Sequence, residues 1–138
     1  MSFKVSFRKT IFRQLTTIGL ALCFLPSIVL AGIDTHNSDA TINSGTTDND
    51  RQKPNVDNIT LTNNGTISTS SSTAVQTTSS KSGITIINNA GATIENTGAN
   101  NDYAVKGQLQ TDLTITNSGT IESVRKYAIE ISQSTGTT

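Results

Sequence analysis

The sequence predicts an all-β fold: a parallel β-helix solenoid of about three to four coils following an N-terminal signal peptide. Three observations lead there. The chain of 138 residues writes one phrase three times, as ITLTNNGTISTSSSTAV (59–75), ITIINNAGATIENTGANNDYAV (84–105) and LTITNSGTIESVRKYAIEI (113–131). Each copy opens with apolar–polar alternation of period two, the mark of a strand with one buried face. The copies start 25 and then 29 residues apart, at Ile59, Ile84 and Leu113, a coil-sized period that signals a solenoid.

The first element is the signal. Lys4, Arg8, Lys9 and Arg13 precede an apolar run from Leu15 to Leu30, and Val29-Leu30-Ala31 forms a small-residue processing site. A basic, then apolar, then A-x-A-like order is a secretory signal peptide, with cleavage expected between Ala31 and Gly32. A membrane anchor needs about 20 apolar residues, and Thr16, Thr17 and Pro26 interrupt this run. Cys23 follows Leu22 and sits inside the run, so it reads as apolar filler and not as a lipidation site.

Residues 32–58 form a polar lead-in rich in Asp, Asn and Thr, within which TINSGTT (41–47) reads as a degenerate first copy of the repeat. Residues 59–131 are the β-helical repeats. Each copy has three short apolar stretches, and their stacking predicts three inward ladders: Ile59/Ile84/Leu113, Ile67/Ile94/Ile121 and Val75/Val105/Ile129. Between the first two stretches lies Asn-x-Gly, where the chain can take positive φ and turn. Asn63, Asn89 and Asn117 are expected to stack there and to hydrogen-bond along the column. Residues 132–138 are a polar end to what reads as a truncated repeat region.

Composition agrees with this architecture. From Gly32 onward there is no Cys, Phe or Trp, and the aromatics are Tyr103 and Tyr127. Ladders of Ile, Leu and Val fill a narrow interior without bulky rings. In the same stretch six basic residues stand against ten acidic ones. That mild acidity, without a basic patch, argues against nucleic acid as a partner.

The phrase [IL]-T-[IL]-x-N-x-G-x-I, followed by Y-A-[IV], resembles the repeats in passenger domains of bacterial autotransporters and related β-helical surface adhesins. The resemblance covers the signal and residues 59–131. It implies a right-handed β-helix, export, and display at the cell surface or release outside the cell. It also implies outer-membrane attachment through a C-terminal barrel that this sequence lacks, so that the chain reads as an N-terminal passenger fragment. The repeat marks an architecture and carries no functional residue with it.

The residues suggest few reactive groups. Glu95 and Glu122 follow equivalent isoleucines, so adjacent coils would hold them about 5 Å apart, a spacing suited to a retaining glycosidase pair. No Arg or His repeats at a nearby register, and solvated charges on a strand surface explain both residues. Tyr103 and Tyr127 occupy one slot, as an exposed sugar-binding pair or, more simply, as rings stacked for stability. Asp48-Asn49-Asp50 lacks the further oxygens and the Gly of a calcium loop, and His36 has no catalytic company. The expectation is therefore a non-enzyme without cofactor or metal: a structural stalk or adhesin-like passenger that meets an unknown surface ligand, protein or glycan, through variable corner loops. Two alternatives stand beside it: a fragment of a carbohydrate-cleaving β-helix enzyme, and a small secreted solenoid that self-associates through its open coil ends.

Overall fold

A computed structural model describes residues 32–100 and 102–138; the expected signal segment 1–31, with Ala31 of the expected cleavage site, lies outside the described residues. Thirteen short strands follow one another around three faces. The first face is a five-stranded parallel sheet of β1 (Ile33–His36), β4 (Arg51–Pro54), β7 (Val75–Gln76), β10 (Val105–Gln108) and β13 (Ile129–Ser132). The second stacks β2 (Ala40–Ile42), β5 (Thr60–Asn63), β8 (Thr85–Asn88) and β11 (Thr114–Asn117). The third stacks β3 (Thr47–Asp48), β6 (Thr66–Thr69), β9 (Thr93–Asn96) and β12 (Thr120–Ser123). Each strand pairs in parallel with the strand three places along, so the chain winds about four turns of a β-solenoid.

Alternation makes this closure work. In β5, β6, β8 and β9 every second residue is buried and its neighbours are half-exposed. Ile59, Leu61 and Ile67 of one coil lie over Ile84, Ile86 and Ile94 of the next, all at most 2 % exposed. Leu113 continues the first column, and Val75 pairs with Val105, which pairs with Ile129. Apolar burial stabilises by roughly 25 cal/mol per Å². These stacked branched side chains supply it without any aromatic ring in the core cluster.

The stretch 32–58, read from the sequence as a lead-in with a degenerate copy of the repeat at 41–47, carries β1 to β4 and forms the first coil. Its inward positions are largely polar, which hides it from a hydrophobic count. The register places Asp34 and His36 over Gln52 and Pro54, and Asp48 over Ile67. Gln52 is fully buried; its Oε1 accepts from His36 Nε2 at 2.7 Å, and its Nε2 donates to the Asp50 carbonyl at 3.0 Å. His36 is thus a half-buried member of the coil and not a free surface residue. The polar first coil gives the stack a solvated end, as terminal repeats of solenoids require.

The opposite end is different. Ile115, Ile121 and Ile131 are partly exposed and Ile129 is 39 % exposed, although their columns are buried one coil earlier. Beside β11 the last residue continues the pattern: Thr138 N donates to Leu113 O at 2.9 Å, and Ile115 N donates to Thr138 O at 2.8 Å.

Candidate functional site: the stacked corners

Three corners join the faces, and each one stacks. At the corner between the second and third faces an asparagine ladder runs up the solenoid. Asn63 Nδ2 donates to Asn88 Oδ1 at 2.9 Å, and Asn88 Nδ2 donates to Asn117 Oδ1 at 2.8 Å. The same amides donate to the carbonyls of Thr93 and Thr120, both at 2.9 Å. Asn63 and Asn88 are fully buried, so these bonds satisfy groups that would be costly to leave unpaired.

The member from the second copy is Asn88, one residue before the expected Asn89. The reason lies in turn length. Asn64-Gly65 and Ser118-Gly119 are two-residue turns between paired strands, whereas Asn89–Ala92 spans four residues. The first coil has the wide form too, at Asn43–Thr46. Wide turns close with an N–H donated from their last residue to their first, Thr46 to Asn43 and Ala92 to Asn89, around Gly45 and Gly91 at φ 76° and 78°. Narrow turns use an Asn side chain that accepts from the Gly N–H two residues on, at Asn63–Gly65 and Asn117–Gly119. Wide and narrow alternate along the stack. Asn89 instead donates to Asn64 Oδ1 at 2.6 Å, in a second and less buried column. The pattern Asn96-Thr97-Gly98, out of register in sequence, makes the same narrow turn at the next corner, where Gly98 N donates to Asn96 Oδ1 at 3.1 Å.

The corner between the third and first faces carries the variable segments. Glu122 pairs with Glu95 in register on β12 and β9, so the two residues are neighbours on adjacent coils, as expected, at outward positions. Among the described residues, no group of three or more His, Cys, Asp or Glu stands close enough to hold a metal ion. Tyr103 and Tyr127 sit one coil apart, but what lies over the Tyr103 ring is a pair of lysines. Lys106 Nζ is 5.4 Å and Lys126 Nζ 5.5 Å from its centroid, within cation–π range. Ring-on-ring stacking gives way to these ammonium groups, and Tyr127 is left 76 % exposed beside exposed Val124. Lys106 also reaches Glu130 at 3.7 Å. Asp48 and Asp50, considered above for calcium, spend their oxygens locally: Asp48 Oδ1 accepts from Asp50 N at 2.9 Å, and Asp50 Oδ1 accepts from Gly32 N.

The third corner, from the first face back to the second, gave no signal in sequence. Three successive passages there go through left-handed backbone at two places, and the passage before them at one. One column is Ser80, Leu109 and Gln133, with φ of 61°, 54° and 52°. The other is Asn58, Gly83, Asp112 and Gly136, with φ of 55°, 66°, 52° and 63°. Between them Ser82, Thr111 and Thr135 form single parallel bridges.

The chain is thus a parallel β-solenoid whose corners vary in chemistry from coil to coil. Compared with known proteins, it matches no family model, no curated protein sequence and no solved structure.

Proposed function

We propose that the chain is the passenger-type part of an exported, surface-displayed β-solenoid, working as a stalk or adhesin-like rod. The observation that carries this reading is the division of labour between faces and corners. The strands repeat in strict register and bury an aliphatic column, while the segments at the third-to-first corner differ in length and charge from coil to coil. A rod held by ladders gives reach, and unequal corner segments such as 97–104 and 124–128 present distinct side chains to a partner. The basic-apolar-small order of residues 1–31 supports export, and the Asn-x-Gly phrase supports kinship with autotransporter passengers.

The test is expression with a C-terminal epitope tag in a Gram-negative host. N-terminal sequencing of the exported product should begin at Gly32, and the tag should be absent from the cytoplasmic fraction. An uncleaved chain retained inside the cell would overturn the export reading.

A further inference from the structure

The corner with two left-handed columns encloses a shallow groove of about 400 Å³, lined along its length by residues of four successive coils. Asp57 stands at one end, Ser82 and Thr111 in the middle, Thr135 at the other, with Lys81 and Leu109 on the rim. Successive parallel strands are about 4.8 Å apart, so the groove runs about 14 Å along the axis. That advance per coil is close to the advance per ring of an extended oligosaccharide.

The backbone supplies a second observation. Both columns need positive φ, a conformation that Gly, Asn and Asp tolerate best. The column at 58, 83, 112 and 136 uses those residues. The column at 80, 109 and 133 holds Ser, Leu and Gln instead, and their side chains form the groove wall, with Leu109 44 % exposed. Side chains are kept where glycine would fold more easily, and what they gain there is a wall.

A third observation is Gln110, 2 % exposed at the groove. Its Nε2 donates to the carbonyls of Thr78 and Gln108 at 2.8 and 2.7 Å. Its Oε1 is buried without a partner. These bonds tie the Thr78 and Gln108 carbonyls together beneath the groove, and the Oε1 itself is closed to solvent. One carboxylate and one ammonium leave the groove without net charge, the hydroxyls of Ser82, Thr111 and Thr135 both donate and accept, and Leu109 offers an apolar rim for a sugar ring face.

We propose that this groove binds a short neutral oligosaccharide, its rings spaced along successive coils. The proposal names a ligand class for the adhesin reading but rests on a different corner from the variable segments. The experiment titrates ¹⁵N-labelled protein with chitotriose, cellotriose and maltotriose and follows the amide resonances. At least one trisaccharide should shift Ser80–Ser82, Leu109–Thr111 and Gln133–Thr135 together. Leu109→Gly should weaken that binding at least about tenfold without lowering the thermal midpoint, because glycine is at home at φ 54°. The double variant Arg125→Ala/Lys126→Ala should bind as the parent does. Absence of binding by all three sugars, or an unaffected Leu109→Gly, overturns the groove site. If instead only the Arg125/Lys126 variant loses binding, the groove proposal fails while a ligand-binding role at the other corner survives.

Discussion

Asn88→Ala removes the central rung of the asparagine ladder, and its cost can be worked from the geometry. Asn88 accepts from Asn63 and donates to Asn117 Oδ1 and the Thr120 carbonyl, at 2.9, 2.8 and 2.9 Å. Three buried bonds at about 1 kcal/mol each give a loss of about 3 kcal/mol. For a domain of this size that lowers the thermal midpoint by roughly 12–24 °C, at about 4–8 °C per kcal/mol. Asn63 keeps its bond to Thr93 O and Asn117 its bond from Gly119 N, which is why the cost is not larger. Asn88→Asp should be worse at neutral pH, since it sets a carboxylate oxygen against two acceptors. Burial raises the pKa of such a carboxyl, so the folded state binds its proton more tightly than the unfolded state, and stability should recover as the pH falls. Urea unfolding followed by circular dichroism measures all of this. Asn89→Ala, which loses only the more exposed bond to Asn64, should cost less than about 1 kcal/mol. If Asn88→Ala lies within about 0.5 kcal/mol of the parent, or Asn89→Ala costs more than Asn88→Ala, the ladder argument is wrong.

Two further outcomes follow from the turns and the open end. A methyl group on Gly65 would run into the carbonyl oxygens of Asn43 and Thr46. Gly65→Ala should therefore destabilise by about 1–3 kcal/mol, while Gly91→Asn, at φ 78° with nothing nearby, should cost less than about 1 kcal/mol; both are read by urea titration. Ile121 and Ile131 lie on the uncovered end of the apolar columns, so Ile121→Lys/Ile131→Lys should reduce self-association in analytical ultracentrifugation. A parent that is already monomeric at high concentration would contradict that expectation.

The strands of residues 59–131 were legible because alternation of period two follows directly from the pleat, and because Ile59, Ile67 and Val75 recur in order. The first coil was legible only at TINSGTT (41–47), since its other inward places hold His36, Asp48 and Gln52, of which His36 and Gln52 hydrogen-bond each other, and leave no hydrophobic rhythm. The slip from Asn88 to Asn89 arose because Asn-x-Gly marks a turn without giving its length, and the wide turn at Asn89–Ala92 contains the same pattern by chance. At the candidate sites, the pairing of Glu95 with Glu122 followed from the equivalence of Ile94 and Ile121. The lysines over Tyr103 did not, because Lys126 arrives from the next coil and Lys106 from the strand that follows the tyrosine. The left-handed column of Ser80, Leu109 and Gln133 was hidden because residue type there works against the backbone conformation.

The central claim is parallel, in-register coiling, and a cysteine pair tests it most directly. With Cys23 changed to Ser, Glu95→Cys/Glu122→Cys places two thiols on register partners of adjacent parallel strands, where the Cα separation suits a disulfide. Mild oxidation should close an intramolecular disulfide, seen by mass spectrometry of a proteolytic digest, in Glu95→Cys/Glu122→Cys and not in Glu95→Cys/Thr116→Cys. A closed disulfide in the second pair alone, or in neither, would contradict the solenoid register and favour an antiparallel sandwich of the same strands.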